Sequence, residues 1–201
     1  MPDLFIIRHG QSTYNLENKF TGCLDVPLSI QGIEEAITAG KKLIDYPIDI
    51  AFTSTLKRAI DTLQIILDVK EDNHIPIVKN KALNERNYGE LQGLNKADTI
   101  IKYGEDQVAI WRRSYKERPP GGESLKDTEA RVMPYFNETI YEKLKQGLNV
   151  LIVAHGNSLR AIVKNLDVIN DKDINNLNIA TGCIYQYRFS DNLKTIYKKT
   201  I

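Results

Sequence analysis

Residues 150–158 read VLIVAHGNS. An apolar run breaks off at a histidine and a glycine, and a helical pattern follows from Asn157 to Leu166. Leu148 to Ala154 is the most apolar run in the chain, and its shortness and flanking glycine make it a buried strand. The same arrangement stands near the N-terminus, where FIIRHGQ occupies residues 5–11. Leu4 to Ile7 is a second buried strand, and it ends on Arg8, His9 and Gly10.

Working outward, Ile48 to Phe52 and Ile75 to Val78 read as further short strands. Ser29 is placed to cap a helix running to about Asp45, with Ile33, Ala36, Ile37, Gly40, Leu43 and Ile44 on its apolar face. Leu56, Ile60, Leu63 and Leu67 share one face of a helix from Leu56 to Val69. Ala82 to Gly93 is polar and irregular, hence loop. Asn95 to Tyr103 and Glu105 to Ser114 read as short helices. RPPGGES at 118–124 breaks the pattern, and a long helix is expected from Ser124 or Leu125 to about Lys145. Ile184 to Phe189 and Leu193 to Tyr197 form a closing antiparallel pair. Strands alternating with helices predict an α/β fold with a largely parallel sheet, in one domain spanning 1–201.

Composition narrows the function. Lys and Arg total 27 against 26 Asp and Glu, a net charge of +1. The basic residues are scattered, so no nucleic-acid or membrane surface is expected. Cys23 and Cys183 stand alone without metal-ligand spacing, which suits a reducing compartment. No apolar run approaches the roughly 18 residues of a membrane span. MPDLFIIRHG lacks the basic start of a signal peptide, so the expected location is cytoplasmic.

In a parallel sheet, ligands bind beyond the carboxyl ends of the strands. Arg8-His9-Gly10, Thr53-Ser54-Thr55 and His155-Gly156-Asn157 each follow a strand, so all three should meet on one edge. Glycine permits close backbone approach to an anion, and the helix opening at Gly156 favours negative charge. Arg58 lies one helical turn past the second strand end. Two imidazoles and two guanidiniums about one point make an anion pocket, most suited to phosphate. Clustered cations also disfavour imidazolium, so a histidine there stays neutral and nucleophilic. His74, in the polar EDNH, reads as a surface residue.

In order along the chain come RHGQSTYN (8–15), FTG (20–22), TSTLKRA (53–59), LNERNYGELQGLNK (83–96), WRRSY (111–115), GGESL (121–125) and AHGNSLRA (154–161). Together they resemble the histidine phosphatase superfamily and, within it, the 2,3-bisphosphoglycerate-dependent phosphoglycerate mutases. The resemblance implies a three-layer α/β/α fold with helices on both faces of the sheet. It implies that His9 is phosphorylated in turnover, that Arg8, Arg58 and His155 hold the transferring group, and that Glu85 is the general acid and base. Glu90, the nearby alternative, reads better as a solvated loop residue. Gly10, Gln11, Ser12, Thr13, Tyr14, Asn15, Thr21, Gly22, Arg86, Asn87, Tyr88, Gly156 and Asn157 would complete the pocket. Lys96, Arg112 and Arg113 would hold the rest of the substrate.

The resemblance further implies a small phosphoglycerate substrate, 2,3-bisphosphoglycerate as primer and intermediate, and a homodimer. No metal is implied, since the chain has no HxxxH and no carboxylate cluster of ligand spacing. Longer members carry an insert after the double arginine, reduced here to YKERPPGGESL, and a longer tail. The expectation is therefore a more open site and a shorter-lived phosphohistidine, with Lys198 and Lys199 able to reach an anion. The alternative reading is a hydrolase of a small phosphoester, which would need His9, Glu85 and His155 but not Lys96, Arg112 and Arg113. A non-catalytic phosphate-binding protein would be expected to lose His9 or Glu85, and both are present.

Overall fold

The computed structural model describes residues 1–201. Six strands form one sheet: β1 Asp3–Arg8, β2 Ile50–Thr53, β3 Ile77–Lys79, β4 Val150–Ala154, β5 Ile184–Phe189 and β6 Thr195–Thr200. Their order is β3-β2-β4-β1-β5-β6. The first four strands run parallel, and β5 and β6 are antiparallel additions at one edge. Arg8 pairs with Ala154 and Thr53 with Val153, which brings the three strand ends level.

Side chains alternate across the sheet with the period of two that strands impose. Leu4, Ile6, Phe52, Val150 and Ile152 face one core with α6 (Leu125–Tyr135) and α8 (Gly156–Leu166). Phe5, Ile7, Ala51, Leu151 and Val153 face the other, with α2 (Ile30–Lys42) and α3 (Lys57–Lys70). The result is three layers, helix–sheet–helix, as expected. A short α1 (Thr13–Leu16) follows the first strand end. Next, α4 (Lys96–Tyr103) and α5 (Glu105–Arg113) pack on a separate small cluster of Phe20, Leu91 and Val108.

Three expectations need correction. Ser29 does cap α2, accepting the Gly32 N–H at 3.1 Å, but the buried stripe is Gly32, Ala36, Ala39 and Gly40. Ile33 and Ile44 are 43% and 53% exposed. Small residues win because α2 lies close to α3: a Cβ on Gly40 would stand 2.8 Å from that of Val69. The long helix expected after Ser124 is interrupted. Pro134 has no N–H to donate, a wide turn follows at Phe136–Ile140, and α7 (Tyr141–Lys145) completes the helix. Finally, Lys198 and Lys199 are engaged away from the strand ends, with Asp167 and the Tyr46 hydroxyl. No helix is long and apolar enough to cross a membrane.

Candidate active site

The loops after β1, β2 and β4 meet in a cleft. His9 lies at its base, 2% exposed. Its Nδ1–H donates to the Gly10 carbonyl at 2.6 Å, which leaves Nε2 without a proton. The Arg58 Nε–H reaches that nitrogen at 3.3 Å. Burial, with Arg58 and Arg8 alongside, holds His9 well below the usual imidazole range. It is therefore neutral, with one lone pair facing cations. The ring of His155 lies 4.9 Å away, centroid to centroid, and burial, Arg58 and His9 depress it likewise. Its Nε2 meets the Ser54 hydroxyl at 2.7 Å. That hydroxyl already accepts the Leu56 N–H, so its own hydrogen is free to point at Nε2. The buried Nδ1 has no protein partner, and the fully buried ring, packed beside His9, does not itself line the cleft.

The guanidinium of Arg58 is aimed by the carbonyls of Leu24 and Gly22, both at 2.8 Å. Its burial pulls its pKa down to about 10. Arg8 donates to the Ile179 carbonyl at 2.7 Å, and its buried Nε has no partner. Glu85 is buried, and its Oε1 accepts the N–H groups of Arg86 and Asn157 at 2.8 and 3.0 Å. A Cβ on Gly156 would lie 3.6 Å from both the Arg8 guanidinium and Glu85 Oε2, so these three groups converge. Asn157 Nδ2 donates to the Tyr88 hydroxyl at 3.3 Å.

Charge is concentrated here. Seven lining side chains are cationic (Arg8, Lys19, Arg58, Lys96, Arg112, Arg113, Arg160) and one, Glu85, is acidic. Of the seven only Lys19 has an ion-pair partner, Glu17. Lys96 is lowered from the usual lysine value by burial and by Arg112. A chain of net charge +1 has thus gathered unpaired cations around one carboxylate and two neutral imidazoles. No group of three or more His, Cys, Asp or Glu side chains is arranged to hold a metal ion. The arrangement can bind a multiply charged phosphate and offer it a nitrogen lone pair.

Of the residues expected in the pocket, Asn15, Thr21, Gly22, Tyr88, Lys96, Arg112, Arg113, Gly156 and Asn157 line the cleft beside Arg8, His9, Arg58 and Glu85. Gly10, Gln11, Ser12, Thr13, Tyr14, Arg86 and Asn87 do not. The Gly10 N–H is spent on the Thr62 hydroxyl, and a Cβ there would stand 2.1 Å from the Gly32 carbonyl oxygen. The Gln11 N–H goes to Glu35. Ser12 caps α1 in a reciprocal box with Asn15, and Thr13 and Tyr14 are the first residues of that helix. Arg86 is fully buried and donates to the Trp111 and Arg112 carbonyls. Asn87 accepts the Gly89 N–H. Glu90 is exposed, and so is His74.

Sequence reasoning missed Lys19, Phe20, Arg160, Asn178 and Ile179. Arg160 was within reach, since it lies four residues beyond Gly156 on the same face of α8. It bonds the Asn157 side chain at 3.0 Å. Asn178 and Ile179 carry no local signal.

The model of the histidine phosphatase superfamily, branch 1, matches residues 4–200. The chain belongs to the histidine phosphatase superfamily. Within it the chain falls with proteins named 2,3-bisphosphoglycerate-dependent phosphoglycerate mutase. That of Cytophaga hutchinsonii is 58% identical over 193 residues, covering 96% of this chain and 90% of the relative. That of Rhizobium rhizogenes is 50% identical over 200 residues, covering 98% and 95%. Among solved structures, a mycobacterial glucosyl-3-phosphoglycerate phosphatase superposes with a TM-score of 0.85 at 25% identity, covering 100% and 97%. Bacillus stearothermophilus YhfR superposes at 0.84 with 22% identity, covering 97% of this chain and 94% of that one, and shares the histidine phosphatase fold.

Proposed function

We propose that this protein is an isomerase that interconverts 3-phosphoglycerate and 2-phosphoglycerate through a phosphohistidine at His9. The observation that carries the reading is the unprotonated Nε2 of a buried, neutral His9 facing Arg58 in a cleft of unpaired cations. Relatives at 50–58% identity that bear the mutase name support it.

In this reading His9 Nε2 accepts the phosphoryl group as the phosphorus–oxygen bond to the glycerate breaks. Glu85 gives a proton to the departing oxygen. In the reverse direction Glu85 takes the proton of the attacking hydroxyl, and the nitrogen–phosphorus bond breaks. Arg8, Arg58 and His155 Nδ1 stabilise the charge on the phosphoryl oxygens during transfer, which is where most of the catalysis of phosphoryl transfer lies. Lys96, Arg112 and Arg113 hold the carboxylate and second phosphate. The cleft suits 2,3-bisphosphoglycerate on the same grounds, since all its cations but Lys19 lack counter-ions and the buried Arg8 Nε lacks a partner. When bound, that compound supplies the phosphoryl group that first charges His9. The cations serve where other phosphoryl-transfer enzymes use magnesium, and turnover is expected without metal. We read the chain as one domain, cytoplasmic and homodimeric.

The test is purified protein with 3-phosphoglycerate and a trace of 2,3-bisphosphoglycerate, in EDTA. The expected product is 2-phosphoglycerate, with turnover lost when the primer is omitted. Release of inorganic phosphate without movement of the phosphate would instead support the hydrolase reading. Turnover lost on chelation and restored by manganese would refute the metal-free mechanism.

A further inference from the structure

The motif GGES at 121–124 has no part in the chemistry above, yet it is built against the loop that carries Glu85. The connector from Arg118 to Ser124 does not cover the cleft. It lies backbone to backbone against residues 87–90. The Glu90 N–H donates to the Pro120 carbonyl at 2.9 Å, and the Glu123 N–H to the Asn87 carbonyl at 2.8 Å. A Cβ on Gly89, at φ +55°, would meet the Pro120 carbonyl oxygen at 2.1 Å, and one on Gly122 would meet that of Asn87 at 2.7 Å. Both glycines are therefore required by this close approach.

From that platform one ion pair grips the backbone on both sides of Glu85. Arg131, on α6, forks both oxygens of Glu123 at 3.0 Å. The same guanidinium donates to the carbonyls of Ala82, Asn84 and Glu85, at 2.8, 3.0 and 3.0 Å. Glu123 Oε2 in turn accepts the Asn87 N–H at 3.0 Å. A planar guanidinium can satisfy a carboxylate and several carbonyls at once, and lysine cannot. The Glu85 carboxylate is thus held at its own end by Asn157 and Arg86 N–H groups, and at its backbone by this pair.

We propose that Glu123 and Arg131 are positioning residues for proton transfer by Glu85, acting through the placement of its loop. The inference rests on the role given to Glu85 above. Proton transfer needs heavy-atom separations of about 2.6–3.2 Å, and a misplacement of about 1 Å costs on the order of a hundredfold in rate. A loosened loop should therefore lower turnover while leaving the cations that bind substrate in place.

The experiment is a double-mutant cycle of Arg131→Lys with Glu85→Gln, with Glu123→Gln in parallel should Arg131→Lys fail to fold. Circular dichroism and inorganic phosphate affinity check the fold and the cleft. Arg131→Lys alone is expected to lower kcat about ten- to a hundredfold with KM little changed. In the Glu85→Gln background it should change kcat by less than about threefold, because residues acting through one group are not additive. Phosphoryl transfer from p-nitrophenyl phosphate, whose leaving group departs without a proton, should fall far less than transfer from phosphoglycerate. Equal losses in both backgrounds, equal losses for both phosphates, or a rise in KM alone would overturn the inference. Normal turnover of Glu85→Gln by itself would overturn the role of Glu85, and the inference with it.

Discussion

The two buried histidines should make stability depend on pH in a way that can be calculated. Both are held well below the ordinary imidazole value, chiefly by burial and then by neighbouring cations. In the unfolded chain each titrates near 6.5. A base depressed on folding contributes nothing unfavourable above that value, where both states are neutral. As pH falls through 6.5 the unfolded state takes up a proton that the folded state refuses, so stability drops until the folded value is reached. Between pH 7.5 and 5.5 the loss is as much as about 1.4 kcal/mol per ring, or about 2.7 kcal/mol for the pair. The assay is urea unfolding at both pH values, in a buffer free of phosphate, because a bound anion would stabilise by mass action. His9→Gln and His155→Gln should each remove about half of the difference. Carboxylates held low, such as Asp127 beside Arg118, lose their contribution only at more acid pH and do not confuse the window. Wild type and both variants sharing one pH dependence would refute the claim that the rings are buried as neutral bases.

Incubation with labelled 2,3-bisphosphoglycerate should leave an acid-labile, base-stable phosphoryl label that His9→Ala abolishes; label persisting in that variant would move the acceptor elsewhere. Alanine at Lys96, Arg112 or Arg113 should weaken phosphoglycerate binding by roughly ten- to more than a hundredfold, the loss of a charge-assisted contact, and weaken binding of a small aryl phosphate much less. Equal losses would make these residues structural. Val168, 85% exposed just beyond α8 at φ 53°, is a β-branched residue in a left-handed conformation. Val168→Asn should raise stability by about 1 kcal/mol, read as a higher urea midpoint, and a midpoint that does not rise would count against strain there.

The strand ends were legible because a parallel sheet admits only one place for them. Once the runs at 4–7, 48–52 and 148–154 are strands, Arg8, Ser54 and His155 must share an edge, and the register delivers that. What escaped was the division of labour inside a contiguous motif. RHGQSTYN reads as one anion-binding segment, yet after His9 its backbone N–H groups are engaged by Thr62, Glu35 and the cap of α1. Neighbourhood in sequence overstated neighbourhood in the site. Ala36, Gly40 and Leu43, expected on the apolar face of α2, are buried, but Ile33 and Ile44 were placed there by bulk, while close packing against α3 selects glycine and alanine. Arg131 and Glu123 were invisible for a third reason. Their partners lie 46–49 and 36 residues away for the loop contacts, and no local pattern encodes such a grip.

The same grip changes how the short connector is understood. Read from the sequence, YKERPPGGESL was a shortened lid, and its loss implied an exposed phosphohistidine. In the structure the residues that remain underlie the Glu85 loop and do not line the cleft. What shelter the structure itself gives His9 is depth. The ring is nearly inaccessible at the base of the cleft, with Arg58 across its reactive nitrogen. The wall formed by α4 and α5 carries Lys96, Arg112 and Arg113 on a small core of its own, apart from the two sheet cores. Such a satellite cluster buries little apolar surface, and the elements that open locally come from the least stable part of a fold. The unpaired cations on that wall repel one another until an anion lies between them. An anion bound there relieves that repulsion, which is the physical ground for the substrate-holding role proposed for Lys96, Arg112 and Arg113.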